Sequence, residues 1–155
     1  MSNDLITMDD LTNDEILALL DDASILLPVA RGEKFLPLLQ GQVLGNMFFE
    51  PSTRTRMSFE TAMKRLGGSV VNLGALASSS VAKGETLYDT MRMVDGYCDV
   101  AVLRHPRQGA AQYAADACDI PILNAGDGAG HHPTQTLLDL FTIMQAHGRL
   151  DLNVV

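Results

Sequence analysis

The chain has 155 residues, 46% of them apolar, and a formal net charge of −8. This length is typical of one domain that buries about two-thirds of its surface on folding, and the acidic balance argues against binding nucleic acid or an anionic membrane. The first residues lack a signal-peptide pattern, and no apolar run approaches the ~20 residues that a membrane helix needs.

Apolar periodicity and turn residues predict helices alternating with short strands along the chain. The first helix, 11–26, opens on a capping box of Thr12 and Glu15 and should end at Pro28. The further predicted helices are 53–66, 85–97, 109–117 and 133–147, and the predicted strands are 43–49, 69–73, 99–103 and 120–124.

This alternation predicts an α/β fold, a three-layer α/β/α arrangement with a central parallel sheet of about four strands. Ligands of such sheets bind beyond the carboxyl ends of the strands. The loops expected at that edge hold Ser52–Thr55, Ser78–Lys83, Arg104–His105 and Asp127–Gln135. An acidic chain that places Arg54, Lys83 and Arg104 around one cleft suggests an anionic small molecule as its ligand.

The densest polar stretch is 52–56, Ser-Thr-Arg-Thr-Arg, where the first strand gives way to a helix. A helix N-terminus offers unpaired N–H groups and partial positive charge, and hydroxyl and guanidinium groups add donors suited to phosphate oxygens. The alternative is a plain Ser52 helix cap followed by a solvated arginine. We predict a phosphate-binding turn here.

A second polar group opens the last helix, where His132 precedes Pro133 and Gln135 lies about one turn further on, with its amide expected to point back toward the helix start. A neutral imidazole and an amide at this helix terminus can donate to a carbonyl oxygen, and a polar cap is the alternative. His131 and His132 have no third ligand at suitable spacing, so we expect no metal. Arg104 alone could be a surface charge, and His105 is expected to be structural or solvated.

The stretch 74–84 is rich in Gly, Ala and Ser and ends on Lys83-Gly84. It is either a disordered surface loop or a loop whose Lys83 closes over an anion. Hydrolase, P-loop and dinucleotide-binding functions have no support, because the GxSxG, Walker A and GxGxxG motifs are all missing from the sequence. Cys98 and Cys118 are expected to be reduced thiols, which fits a cytoplasmic protein.

These stretches together resemble the aspartate and ornithine carbamoyltransferases. The matching segments occur in the family's order and are 49–60 (FEPSTRTRMSFE), 79–90, 103–106 (LRHP), 124–128 (NAGDG) and 132–139 (HPTQTLLD). Within the family, Glu50-Pro51 and the run 83–87 (KGETL) resemble the aspartate enzymes, since ornithine enzymes usually lack that lysine.

The resemblance implies transfer of a carbamoyl group from carbamoyl phosphate to L-aspartate, the second step of de novo pyrimidine biosynthesis, with no cofactor. It implies that Ser52, Thr53, Arg54 and Thr55 hold the phosphate. It also implies that Thr55, Arg104, His132 and Gln135 address the carbamoyl group, the first three of them catalytically. Lys83 and Ser79, or Ser80 in its place, would reach a neighbouring subunit's site within a homotrimer, with a separate regulatory chain as a further partner that the resemblance allows.

Family chains are about twice this length, so we expect 1–149 to form the carbamoyl-phosphate domain and 150–155 to begin a second, aspartate-binding domain. The 155-residue chain alone should then bind carbamoyl phosphate but have little transfer activity. Two alternatives stay open: a carbamoyltransferase that uses ornithine or another amine, and a non-catalytic assembly module.

Overall fold

The computed structural model describes residues 4–73 and 84–152, and its helices and strands alternate as predicted. A short 3-10 helix (Met8–Asp10) precedes the main elements. These are α1 (Asn13–Ala30), β1 (Val43–Phe48), α2 (Thr53–Arg65), β2 (Ser69–Leu73), α3 (Leu87–Asp95), β3 (Val100–His105), α4 (Ala110–Ala115), β4 (Ile122–Asp127) and α5 (Pro133–His147). Within the described residues, no helix combines the length and apolarity needed to cross a membrane.

The four strands form one parallel sheet in the order β2-β1-β3-β4. Apolar side chains of α3 and α4 pack on one face of this sheet, and Met63 of α2 packs on the other. Helix α1 contacts both α2 and α5, which completes the second helical layer. The predicted three-layer fold is confirmed. Because the chain proceeds outward from β1 to β2 and later from β3 to β4, the gap beyond β1 and β3 is a topological switch point.

Helix α1 begins as predicted but ends later. Thr12 and Glu15 form the capping box, with the Glu15 carboxylate accepting from the Thr12 backbone N–H at 2.8 Å. The prediction that Pro28 ends the helix is wrong, because α1 continues through it to Ala30. A proline in the last turn removes only its own N–H, and the helical bonding resumes when Arg31 N–H donates to Leu27 C=O at 3.0 Å.

Strands β3 and β4 both extend further toward the carboxyl edge than predicted. Arg104 and His105 belong to β3 and do not follow it, and β4 runs to Asp127 through residues that were predicted to form a loop. Leu103 pairs with Asn124, and the pairing resumes further along between His105 and Asp127. Arg104 of β3 therefore lies opposite two residues of β4. Such a bulge redirects side chains locally, and here it lies beside the switch point.

Candidate anion site at the switch point

An open pocket of about 820 Å³ lies at this switch point. Its lining residues come from the start of α2, the end of β3 and the start of α5, and are Pro51, Ser52, Thr53, Arg54, Thr55, Ser58, Phe59, Arg104, His132, Thr134, Gln135 and Leu138. Among the described lining residues two are arginines and none is a carboxylate. In a chain of net charge −8, this pocket therefore favours an anion.

The N-terminus of α2 opens into the pocket without a side-chain cap. Ser52 is the N-cap residue, yet its hydroxyl accepts no capping hydrogen bond. By contrast, the side chains of Thr12, Thr86 and His132 accept such bonds at the starts of α1, α3 and α5. The Ser52 hydroxyl and the first N–H groups of α2 are therefore available to a ligand, which favours the anion-site hypothesis over a plain cap.

Arg104 reaches the pocket from the end of β3 and is held on two sides. Its Nε–H donates to Glu50 Oε1 at 2.6 Å, and its Nη1–H donates to the Ala125 carbonyl at 3.1 Å. The Arg104 side chain is only a quarter exposed. It is therefore a fixed, partly desolvated cation and not a mobile surface charge.

The absence of a side chain at Gly126, in the β4 bulge, leaves space for the side chains of Arg104 and His132. Gly126 has a φ of +114°, a conformation that disfavours other residues. A Cβ on Gly126 would lie 3.2 Å from Arg104 Nη1 and 3.4 Å from His132 Cδ2. Glycine at this position therefore lets the two side chains that face the pocket pack against the same backbone.

The hydrogen bonds of His132 fix its tautomer. Its Nδ1 lies 3.3 Å from the backbone nitrogen of Gln135, an obligatory donor, and 3.2 Å from Thr134 Oγ1. Nδ1 must therefore accept, so the neutral ring carries its proton on Nε2. Burial lowers the pKa of His132, with the Arg104 charge as a second cause, while Asp139 opposes them. The ring is accordingly neutral near pH 7 and offers Nε2–H as a donor, as the sequence predicted.

Two buried polar residues of β4 hold the segment that leads to His132. The amide nitrogen of Asn124 donates to the carbonyls of Ile6 at 2.9 Å and His131 at 3.2 Å. The Asp127 carboxylate accepts from His131 N–H at 2.6 Å and from Gly109 N–H at 2.7 Å. Both residues are nearly inaccessible to solvent. They tie the start of α5 to the N-terminal segment and to the start of α4.

Gln135 lines the pocket but is not oriented as predicted. Its Nε2 donates to Asp139 Oδ1 at 2.9 Å, one turn further along α5, where the sequence-based prediction had the amide turned back toward the helix start. An exposed carboxylate four residues away is a ready partner on a helix surface, which explains the difference. Only the second amide hydrogen and the oxygen remain for a ligand.

The pocket thus brings together Ser52, Thr53, Arg54, Thr55, Arg104, His132 and Gln135. Ser79, Ser80 and Lys83 lie outside the described residues. Glu50, Gly126 and Asp127 were not among the predicted site residues, because their roles depend on the β4 bulge and on pairing across the sheet. Within 4–73 and 84–152 no His, Cys, Asp or Glu cluster suited to a metal occurs, and Cys98 and Cys118 are free thiols.

Comparison with known proteins agrees with this geometry. Residues 3–145 match the family model of the aspartate/ornithine carbamoyltransferase carbamoyl-P binding domain. This chain belongs to that family. It is 61% identical over 151 residues to the aspartate carbamoyltransferase catalytic subunit of Archaeoglobus fulgidus, covering 97% of this chain and 50% of the relative. The corresponding subunit of Methanocaldococcus jannaschii is 56% identical over 147 residues, covering 95% of this chain and 48% of the relative.

Solved structures show the same similarity. The catalytic subunit of M. jannaschii aspartate transcarbamoylase has a TM-score of 0.87 at 55% identity, covering 94% of this chain and 48% of that one. The Trypanosoma cruzi enzyme in complex with carbamoyl phosphate and aspartate has a TM-score of 0.89 at 47% identity, covering 96% and 49%. The chain therefore spans about half the length of the family members that it matches.

Proposed function

We propose that this chain is the carbamoyl-phosphate-binding part of an aspartate carbamoyltransferase. The supporting observation is that one pocket is lined by the uncapped N-terminus of α2 and Arg54 and also by Arg104 and His132. The first pair suits a phosphate group, and the second pair suits a carbonyl oxygen beside it. Carbamoyl phosphate carries these two groups on either side of one bridging oxygen, and the Trypanosoma cruzi relative was solved in complex with it.

In this proposal Ser52, Thr53, Arg54 and Thr55 bind the phosphate. The amine of L-aspartate attacks the carbamoyl carbon, and negative charge develops on its oxygen. Donors from Thr55, Arg104 and the His132 Nε2–H stabilise that charge, in the manner of an oxyanion hole, while Gln135 orients the carbamoyl amide. The carbon–oxygen bond to phosphate then breaks, and the departing phosphate takes the proton that the amine loses. The products are N-carbamoyl-L-aspartate and phosphate.

A full-length protein that contains this domain is proposed to act in de novo pyrimidine synthesis in the cytoplasm, as a homotrimer that associates with a separate regulatory chain. Lys83 and Ser79, or Ser80, would act in a neighbouring subunit's site. We assign 1–149 to the carbamoyl-phosphate domain and 150–155 to the start of the aspartate-binding domain. Contacts to aspartate would come from that second domain, so the 155-residue chain alone is expected to bind the first substrate without appreciable turnover.

Calorimetric titration of the 155-residue chain tests the binding half of the proposal. We expect carbamoyl phosphate to bind more tightly than inorganic phosphate, because only the former engages Arg104 and His132. If neither ligand binds, the result would contradict the proposal and favour a non-catalytic assembly module. A full-length protein that contains this domain is expected to form N-carbamoyl-L-aspartate when aspartate is the acceptor. Turnover with ornithine instead would overturn the acceptor assignment.

A further inference from the structure

A buried amide beneath α2 has no role in the proposed chemistry. Asn46 lies in the middle of β1, and it is fully inaccessible to solvent. Its Nδ2 donates to the Arg56 carbonyl at 3.3 Å and to Asn72 Oδ1 at 2.9 Å, whereas its Oδ1 has no hydrogen-bond partner among the described residues. A buried polar atom without a partner costs stability, so a residue that carries one calls for an explanation.

The neighbours of Asn46 dictate the orientation of its amide. Asn72 donates its own Nδ2 to Glu60 Oε2 at 3.3 Å, which directs Asn72 Oδ1 toward Asn46. Both groups facing the Asn46 amide nitrogen are thus acceptors, and rotating the amide would bring oxygen against oxygen. The hydrogen-bond chain runs from Asn46 of β1 through Asn72 of β2 to Glu60 of α2, and Lys64 holds the Glu60 carboxylate from the other side.

These bonds attach α2 to the sheet close to the pocket. The Arg56 carbonyl that Asn46 holds lies one turn from the start of α2, directly after the residues 52–55 that line the pocket. Asn46 pairs with Val102, and Phe48 pairs with Arg104, so Asn46 lies on the same sheet face as Arg104 and two residues before it along the strands. One amide therefore relates the first turn of α2 to the strand edge that carries Arg104.

We propose that Asn46 is a positioning residue. It holds the first turn of α2 in the position where the N–H groups of that turn and the Arg104 side chain contact the same anion. This inference rests on the proposed function, because it assumes that the pocket binds carbamoyl phosphate. The unpartnered oxygen follows from the requirement for a donor nitrogen at this position, since an apolar side chain would pack there without any unsatisfied atom but would not hold the Arg56 carbonyl.

The variant Asn46→Leu separates positioning from stability. Leucine has the same branching and number of heavy atoms, Arg56 C=O keeps its place in the helix, and the exposed Asn72 turns to water. We expect an unchanged or higher melting temperature, because the unsatisfied oxygen is removed. We also expect phosphate affinity to fall about ten-fold or more, since misplacement by about 1 Å can cost up to a hundred-fold. Asn72→Ala, which removes the orienting acceptor and the bond to Glu60 but leaves the Asn46–Arg56 bond in place, should show a smaller loss.

The matched control is Val94→Ala, which creates a cavity in the core on the opposite face of the sheet, away from α2. We expect it to lower the melting temperature and leave phosphate affinity unchanged. Calorimetry with inorganic phosphate and thermal melts of the 155-residue chain give both readouts. Wild-type affinity in Asn46→Leu would overturn the inference, as would a loss of affinity that Val94→Ala shares. A wild-type chain that binds neither phosphate nor carbamoyl phosphate would instead overturn the proposed function, and the inference with it.

Discussion

Replacing Arg54 with alanine should weaken anion binding without weakening the fold. Arg54 is exposed, lines the pocket and has no hydrogen-bond or ion-pair partner among the described residues. Its removal should therefore change the free energy of unfolding by less than about 0.5 kcal/mol. A hydrogen bond from a charged group contributes about 1.5–3 kcal/mol, so the phosphate dissociation constant should rise by about ten- to a hundred-fold.

Arg56→Ala provides the matched control, because Arg56 is also an exposed arginine in the first turns of α2 but does not line the pocket. Calorimetric titration with phosphate at two salt concentrations should show a loss of affinity for Arg54→Ala alone. Equal losses in the two variants would mean that net charge, and not the geometry of the 52–55 turn, governs binding. Unchanged affinity in Arg54→Ala would refute the assignment of Arg54 to the phosphate.

Three further changes test the rest of the site. Burial lowers the pKa of His132 and of His105 in the folded chain. The part of the free energy of unfolding that comes from keeping these two rings neutral is therefore present above pH ~6.5 and should be lost as the pH falls below that value. In thermal melts from pH 7.5 to 5.5, the melting temperature of His132→Asn, which keeps a capping acceptor, should fall less steeply with pH than that of the wild type. An equal slope in the two proteins would contradict this expectation. Gly126→Ala should cost more than about 1 kcal/mol in chemical denaturation, because its φ is +114°, and should weaken carbamoyl-phosphate binding by displacing Arg104; wild-type values would contradict both expectations. Glu50→Gln removes a negative charge beside Arg104 but keeps an accepting oxygen, so carbamoyl-phosphate affinity should rise about five-fold, the effect of about 1 kcal/mol, and weaker binding would show that Glu50 helps to orient the guanidinium.

The order of elements and the position of the site could be predicted from sequence, because both depend on local signals. Buried strands lack alternation, caps and glycines mark helix ends, and a parallel sheet gathers its ligand-binding loops at one edge. The 52–55 turn and His132 carry such signals themselves. The neutral state predicted for His132 agrees with the structure, where Gln135 N–H faces Nδ1 and burial lowers the pKa.

The details that sequence did not reveal depend on contacts between distant segments. Pro28 remains helical, and the helix continues to Ala30 beside the buried Val29. Arg104 lies within β3 because it pairs with Phe48 of β1, and the pairing with β4 resumes at His105 beyond the bulge. Glu50 pairs with Arg104 although 54 positions separate them. The amide of Asn46 finds its partners on β2 and α2, which no local pattern indicates.

NMR mapping of the ¹⁵N-labelled chain shows whether one pocket binds both the phosphate and the carbamoyl group. On titration with fresh carbamoyl phosphate, the backbone amides of Thr53, Arg54 and Thr55 should shift together with those of Arg104 and His132. Inorganic phosphate should shift the first group and affect the second much less. Shifts confined to surfaces outside the pocket, or identical patterns for the two ligands, would contradict the account.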